Sequence, residues 1–256
     1  MSAPISPSPK PGYWRDSRAP RYSLLFALPL VVAYEVLAAI QGGGQALAVR
    51  NGADVLLQRA AALVGGAYGP LVLGAGLFVG CTWLVVRDAR KTGGRLRTPV
   101  FLGMLAESAV LAAMFGTVVG LVTMRVLGPL RALSVAPLAA SPMDTMPLGT
   151  QVMLSLGAGV YEELVFRVLL VGGMAWAARA FLGWSRTKAA IVAVVAGALA
   201  FSAIHYVGPY GDPLELESFT FRAIAGVFLS GIYVLRGFGV AAWTHALYDI
   251  YLVLAA

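Results

Sequence analysis

The sequence predicts an all-α membrane protein, a polytopic bundle of about seven transmembrane helices. Of its 256 residues, 59% are hydrophobic and only 12% are charged, whereas a soluble domain carries about 25% charged residues. The apolar residues come in runs of about twenty, the length that a helix needs to cross a bilayer, and not in the alternating ten-residue segments of a transmembrane barrel. This composition excludes a soluble globular domain.

Seven apolar runs account for the predicted membrane helices. They lie at about 22–40, 68–86, 99–122, 152–178, 189–207, 219–235 and 240–256. A further apolar piece at 53–64 is interrupted by Asp54, Gln58 and Arg59 and is too short to cross a core about 30 Å thick, so we expect it to lie at the interface. Ahead of the first run, the proline-rich residues 1–20 are predicted to form a disordered basic tail.

Charge and motif positions divide the rest of the chain and orient it. Residues 21–147 are predicted to be N-terminal transmembrane helices and loops, and residues 148–256 a set of helices that contains the three motifs described below. The net charge is +7, but the basic residues concentrate in short loops, most densely at 87–97. This positive-inside pattern indicates a lipid bilayer as partner and no nucleic acid. With its short, simple loops, the chain is predicted to be a multi-pass protein of a prokaryotic inner membrane with a cytoplasmic N-terminus.

The run 152–178 contains two adjacent carboxylates, Glu162 and Glu163, followed by Arg167. Inserting one ionised side chain into the bilayer within a helix costs roughly 2.5 to 3.5 kcal/mol of free energy. Three such residues in one span therefore indicate a structural or functional role. Glu163 and Arg167 are four residues apart and are predicted to pair, whereas Glu162 lies about 140° round the helix from Arg167 and is the freer carboxylate. A poorly solvated carboxylate can take a proton from water. The alternative is a buried polar knot that only fixes helix packing.

Two further pairs follow in the next apolar runs. Phe201 precedes His205 by one helical turn, and His245 precedes Asp249 by the same spacing. Asp249 can therefore hold the His245 ring, or both can point at one ligand. Two histidines and two or three carboxylates in one bundle could form a metal site, a proton relay or a hydrolytic centre. The remaining intramembrane acids, Glu35 and Glu107, are expected to have structural roles, with Glu35 facing the bundle interior.

The three motifs together resemble those of the CPBP intramembrane proteases, relatives of the type II CAAX prenyl endopeptidase and of bacteriocin-processing proteins. They are Glu-Glu-x-x-x-Arg at 162–167, Phe-x-x-x-His at 201–205 and His-x-x-x-Asp at 245–249, in this order on three helices. The resemblance covers about residues 148–256. It implies an intramembrane endopeptidase of a membrane-associated or precursor protein, with four catalytic residues and three supporting ones. The catalytic residues are Glu162, His205, His245 and Asp249, and the supporting residues are Glu163, Arg167 and Phe201.

Specific roles follow from the resemblance. Glu162 would activate the attacking water, His205 would help to hold that water, and His245 with Asp249 would stabilise the oxyanion. Family members often have asparagine where this chain has Asp249. Because an ionised carboxylate cannot donate a hydrogen bond, Asp249 must either be protonated or orient His245.

Three alternatives stay open at the level of sequence. We expect no cofactor, but Glu162, His205 and His245 also match a common zinc-ligand set of one carboxylate and two histidines. A proton- or metal-coupled transporter could use the same residues as a relay, with Glu35 and Glu107 completing the path. An inactive immunity or scaffold protein of the same fold would keep the helices without the chemistry.

Overall fold

The computed structural model describes residues 12–42, 49–92, 95–131, 142–208 and 211–255. These residues form helices and turns, with no strand among them, as the sequence predicts. In chain order the α-helices are α1 (Tyr13–Asp16), α2 (Pro20–Gly42), α3 (Gly52–Gly65), α4 (Gly69–Thr92), α5 (Thr98–Arg131), α6 (Leu148–Gly157), α7 (Gly172–Leu182), α8 (Arg186–Ile204), α9 (Leu216–Arg236) and α10 (Phe238–Ala255). Short 3-10 helices lie at Gly66–Tyr68 and Pro142–Thr145, and π-helical segments at Ala158–Glu162 and Leu164–Val171 join α6 to α7.

Seven helical stretches within the described residues are long and apolar enough to span a membrane, which confirms the predicted number. They are Pro20–Gln41, Gly52–Thr92, Thr98–Gly128, Leu148–Leu182, Arg186–Ile204, Leu216–Arg236 and Phe238–Ala255. Large apolar side chains cover the outside of the bundle, such as Phe78, which is 73% exposed. An outer surface of this kind is suited to lipid and not to water, so the chain is a multi-pass membrane protein.

Helix α3 enters the bundle, whereas the sequence predicts an interfacial segment at 53–64. Its first residues are buried, including Asn51 just before it and Asp54 in its first turn. At its other end the chain reverses through Gly66, with a φ of 59°, and α4 packs back against α3. A side chain at Gly69 would lie 2.0 Å from the Ala61 carbonyl oxygen, so only glycine allows this reversal. The polar first turn of α3 therefore finds partners inside the bundle, and the helix then turns back into α4.

The N-terminal tail is shorter than the predicted 1–20. Residues 1–11 lie outside the described residues, but Tyr13–Asp16 form α1 and α2 begins at Pro20. The contacts of the two aromatic residues of α1 explain why this segment is helical. Tyr13 donates a hydrogen bond of 2.5 Å to Glu107 on α5, and the Arg236 guanidinium lies 4.0 Å over the Trp14 ring.

Polar partners link the helices near one end of the bundle. Arg21 on α2 forms an ion pair of 3.0 Å with Asp88 on α4, and the Arg97 amide donates to the Tyr22 hydroxyl at 3.0 Å. Glu107 also accepts from Arg236, at 2.5 Å, which agrees with its predicted structural role. The basic loop after α4 therefore lies at the same end of the bundle as the start of α2.

Helix α10 lies at the centre and joins the two predicted parts of the chain. It packs against α2 and α5 from the N-terminal part and against α6 and α9 from the C-terminal part. Small residues make this possible, since Ala241, Ala242 and Ala246 are all fully buried. The motif on α10 is thereby placed in the middle of the bundle.

Candidate active site

The span Leu148–Leu182, here called the motif helix, contains two π-helical segments, of which the first ends at Glu162 and the second contains Arg167, and Glu163 lies between them. At the end of this region the Gly172 amide donates to the carbonyl of Arg167, five residues earlier, instead of four. This wider turn changes the angles expected from an α-helix, although the predicted ion pair forms, with 3.2 Å between Glu163 Oε2 and Arg167 Nε. Both partners are fully buried, at 0% and 1% side-chain exposure. Segments of π-helix occur frequently at functional sites.

Two glycines let neighbouring helices approach the motif helix closely beside Glu162. A side chain at Gly157 would lie 2.6 Å from the Tyr34 ring and 2.8 Å from Cβ of Asn51. A side chain at Gly159 would lie 2.4 Å from the Ala242 carbonyl oxygen on α10. The start of α3 and the middle of α10 can therefore both reach the level of Glu162.

The Glu162 carboxylate has a different environment at each oxygen. Its Oε1 accepts a hydrogen bond of 2.9 Å from the Asn51 side-chain amide. Its Oε2 is buried, has no hydrogen-bond partner among the described residues, and faces the Nε2 atoms of His205 and His245, each at 4.0 Å. One oxygen is thus anchored and the other points between two imidazoles.

His205 lies immediately after the last residue of α8. Its Nδ1 is 2.7 Å from the carbonyl oxygen of Phe201, one turn earlier. A carbonyl oxygen can only accept, so Nδ1 carries the hydrogen. In the neutral ring, Nε2 is therefore a hydrogen-bond acceptor directed at Glu162.

His245 is held by Glu163 and not, as the sequence spacing suggests, by Asp249. Glu163 Oε1 lies 2.8 Å from Nδ1 of His245, so Nδ1 again carries the hydrogen. Asp249 Oδ2 lies on the other side of the ring, 3.6 Å from Nε2. The hydrogen bond to the His245 ring therefore comes from Glu163, 82 positions away along the chain, whereas Asp249 lies beyond hydrogen-bond distance.

Phe201 packs at the centre of the polar cluster. The Arg167 guanidinium lies 4.3 Å over its ring, and the ring meets His205 and His245 edge to face at centroid distances of 5.0 and 5.9 Å. The cation and the two imidazoles contact the same ring, which separates them. Phe201 thus supports both histidines at once, in agreement with its position in the motif.

The lengths of the motif helix and of α8 explain how Glu162 and His205 come to lie close together. Glu162 lies 20 residues before the end of the motif helix, and His205 follows 19 residues of α8. The part of the motif helix after Glu162 and helix α8 are each about 25 to 30 Å long. The turn between them is short because Gly183 adopts a φ of 63°. The two side chains therefore return to the same level. Helix α10 contributes His245 and Asp249 from its middle.

Asn51 is the contact that the sequence does not predict. It carries no charge and precedes a segment that was expected at the interface, so nothing in composition or spacing marks it. The adjacent Arg50 and Asp54 are the nearest signal, since charged groups beside an apolar segment need partners. In the structure Arg50 pairs with Glu35 at 2.7 Å, which gives Glu35 a partner absent from the sequence prediction. The Glu35 side chain is 45% exposed, so it does not face the interior as predicted.

All four predicted catalytic residues lie in one cluster, together with the three supporting residues. Among the described residues, no group of three or more histidine, cysteine, aspartate or glutamate side chains is arranged to hold a metal ion. The cluster is polar and enclosed, and it combines a carboxylate with two imidazoles. This set can accept and donate protons.

Residues 144–251 match the family model described as type II CAAX prenyl endopeptidase, Rce1-like. This region belongs to the CAAX and CPBP family of intramembrane proteases. The Rce1-like region contains all three motifs, whereas α1 to α5 and Asn51 lie outside it. No curated protein and no solved structure matches the chain. The match supports a CAAX-type intramembrane protease in general, and a protein of this kind has the lipid bilayer and a peptide substrate as partners.

Proposed function

We propose that the protein hydrolyses a peptide bond of a membrane-associated or precursor protein, with a water activated by Glu162 as nucleophile. The distance of 4.0 Å between Glu162 Oε2 and His205 Nε2 carries this proposal. Both atoms accept hydrogen bonds. One water that donates to both at about 2.8 Å subtends an angle of about 90°, which is close to its own bond angle. Its lone pairs then point away from both groups, towards a substrate carbonyl.

The same distance favours a glutamic mechanism over a zinc-dependent one. Tetrahedral zinc holds nitrogen and oxygen ligands at about 2.0 to 2.2 Å, so two such ligands lie about 3.3 to 3.5 Å apart. Glu162 Oε2 is 4.0 Å from each Nε2, which is wider than that spacing. The hydrogen bonds to Nδ1 of both histidines suit either mechanism. We therefore prefer the glutamic mechanism because of the 4.0 Å distances between Glu162 Oε2 and the two Nε2 atoms, and a zinc-dependent mechanism is the alternative to test.

His245 is suited to stabilise the oxyanion. Glu163 holds its Nδ1, and the carboxylates of Glu162 and Asp249 lie within 4.0 Å of its Nε2. A protonated ring in this environment donates from Nε2 to the oxygen of the tetrahedral intermediate. After the attack, the proton taken by Glu162 passes to the leaving amine.

The contacts of two other acids count against the transporter alternative. A relay across the bundle needs Glu35 and Glu107 as further proton carriers. Glu35 pairs with Arg50, and Glu107 pairs with Arg236 at 2.5 Å. An acid paired with arginine is a poor carrier because the pair favours the ionised form.

The orientation and the substrate are part of the same proposal. We propose that the N-terminus is cytoplasmic, because this orientation puts most of the basic loops on the cytoplasmic side as the positive-inside rule expects, and that the membrane is a prokaryotic inner membrane, because the loops are short and simple. The matching family model is named for CAAX prenyl endopeptidases, so a prenylated C-terminal peptide is one substrate class. A peptide precursor with a membrane anchor is the other.

The test is cleavage of a panel of prenylated and membrane-anchored peptides by purified protein in lipid nanodiscs. Glu162→Gln keeps the acceptor for Asn51 but cannot take a proton, and it should lower kcat by at least about 100-fold. His205→Ala and His245→Ala should do the same. A matched control is Glu217→Gln, a carboxylate outside the site, which should cleave like wild type. Activity that survives a zinc chelator supports the glutamic mechanism, whereas loss that added zinc restores overturns it.

A further inference from the structure

Asn51 lies at the point where α3 enters the bundle and meets the motif helix. The residue is 6% exposed and precedes the first residue of α3, so its backbone ends the incoming segment inside the protein. Its side chain makes the one hydrogen bond to Glu162 found among the described residues. The contact joins positions 111 residues apart, and one of them lies outside the Rce1-like region.

Two hydrogen bonds besides the one to Glu162 hold Asn51 in place. Its Oδ1 accepts from the backbone N–H of Ala53 at 2.9 Å, as the side chain of a helix N-cap does. The nitrogen Nδ2 must then point the other way, towards Glu162 Oε1. The backbone N–H of Asn51 donates to the Tyr34 hydroxyl at 3.0 Å. The donor is therefore directed at the carboxylate by contacts that do not involve it.

A polar network on α2 and α3 holds Asn51 in place. The Tyr34 hydroxyl donates to Asp54 at 2.9 Å, and Arg50 donates to the same carboxylate at 2.5 Å. Arg50 also donates to Glu35 on α2, at 2.7 Å. This network, called here the α2–α3 clasp and formed by Tyr34, Glu35, Arg50 and Asp54, ties the start of α3 to α2 on both sides of Asn51. Buried hydrogen-bonded networks of this kind rigidify their surroundings.

We infer that Asn51 is a positioning residue for Glu162, supplied to the active site by the N-terminal half of the chain. The inference rests on the proposed role of Glu162 as the base. By holding Oε1, Asn51 leaves Oε2 directed at His205 and His245. The N-terminal end of α3 also faces the carboxylate, and the partial positive charge there favours the ionised form.

The other groups around Glu162 do not replace this contact. His205 from α8 and His245 from α10 face Oε2 at 4.0 Å, and Asp249 from α10 lies 3.6 Å from Nε2 of His245. On the motif helix, Arg167 is paired with Glu163. Asn51 is thus the neutral donor that stabilises the ionised carboxylate without competing for its reactive oxygen.

Two substitutions separate the donor from the helix cap. Asn51→Ser keeps a good N-cap acceptor for Ala53 but is too short to reach Glu162. Asn51→Asp keeps the size and the cap but places a carboxylate against a carboxylate. If either change disturbs folding, Gly157→Ala gives a second route, since its methyl group would lie 2.8 Å from Asn51 Cβ and would displace an intact Asn51. Thermal unfolding of each variant measures the structural effect separately.

Infrared difference spectroscopy of the purified protein measures the effect on Glu162 without any substrate. The carboxyl band present in wild type and missing in Glu162→Gln belongs to Glu162. In Asn51→Ser the carboxylate stretching frequencies of this band should shift, because one of the two oxygens loses its hydrogen bond. Asn51→Asp should lose the same hydrogen bond and shift the frequencies as well. Frequencies equal to those of wild type in both variants would overturn the inference.

Kinetics on a peptide that wild type cleaves give the second readout. Asn51→Ser should lower kcat by about 10- to 100-fold with little change in KM, as expected for a group that orients a catalytic residue. Wild-type kcat in Asn51→Ser, beside an inactive Glu162→Gln, would reject the role of Asn51 and keep the proposed function. Full activity of Glu162→Gln would reject the proposed function instead, and the infrared carboxylate frequencies would still decide whether Asn51 holds Glu162.

Discussion

Glu163 binds His245 with one carboxylate oxygen and Arg167 with the other. Oε1 lies 2.8 Å from Nδ1 of His245, and Oε2 lies 3.2 Å from Nε of Arg167. The residue that the motif marks as a structural ion-pair partner thus also sets the orientation of a proposed catalytic histidine. Removing it should therefore affect stability and catalysis separately.

We predict that Glu163→Gln lowers both stability and kcat. Arg167 would lose its carboxylate while fully buried, which costs about 3 to 5 kcal/mol. His245 would lose its anionic partner, and kcat should fall about 10- to 100-fold. The double variant Glu163→Gln with Arg167→Met removes the unpaired charge, so it should recover stability but not kcat. Recovery of kcat in the double variant would show that Glu163 acts only through Arg167.

Asp249 lies on the Nε2 side of His245, which leads to a second prediction. Asp249→Asn should keep or raise kcat, because the amide can donate to an oxyanion and does not compete for the Nε2 hydrogen. Asp249→Leu cannot donate a hydrogen bond, so its kcat should fall about 100- to 1,000-fold if position 249 supplies a donor to the oxyanion. Steady-state cleavage rates of the two variants decide the matter. Equal losses in both would mean that the ionised carboxylate itself is required.

The close approach of α10 at Gly159 leads to a prediction about packing. Gly159→Ala would place a methyl group 2.4 Å from the Ala242 carbonyl oxygen and 2.7 Å from Cβ of Ala246. Such overpacking costs about 1 to 3 kcal/mol, and it should move His245 away from Glu162. Gly173→Ala on the same span has open space around it and is the matched control. Thermal unfolding in detergent should show a lower Tm for Gly159→Ala and no loss for Gly173→Ala.

The contact between Tyr13 and Glu107 predicts a pH dependence at the N-terminal end of the bundle. Burial, together with the hydrogen bond to Glu107, raises the pKa of Tyr13 to about 12 from its ordinary 10.0. The neutral phenol is thus favoured in the folded state. Its contribution to stability is complete below about pH 10 and is lost as the pH rises through about 12.

The check is the difference in Tm between wild type and Tyr13→Phe across this pH range. The difference should be constant below about pH 10 and should shrink towards about pH 12. Tyr68→Phe, at a tyrosine that is 75% exposed, controls for general alkaline effects. A difference between wild type and Tyr13→Phe that does not change with pH would contradict the assignment.

The spans and the cluster residues could be predicted from the sequence because the evidence for both is local. An apolar run of about twenty residues reports a membrane helix without knowledge of its neighbours. The charged and imidazole side chains of Glu162, His205 and His245 are conspicuous against an apolar background, since each needs a reason to be there. Their spacing suggested which of them share a helix face.

The contacts between distant residues could not be predicted in this way. Glu163 and His245 are far apart in sequence, and the choice of Glu163 over Asp249 depends on how α10 crosses the motif helix. The π-helical turns change the angular position of each residue, which a uniform period of 3.6 residues cannot represent. Asn51 is neutral, so no charge marks it in the sequence, and the burial of the first turn of α3 depends on partners in α2.

The position of Asn51 at the start of α3 also bears on the order in which the site is synthesised. Helices α2 and α3 precede the motif helix in the chain, so Tyr34, Arg50 and Asn51 are synthesised before Glu162. We expect the donor to be available when the costly glutamate enters the bilayer. Helix α10 comes after the motif helix and adds His245. The cluster therefore needs both the segment that precedes the motif helix and the helices that follow it.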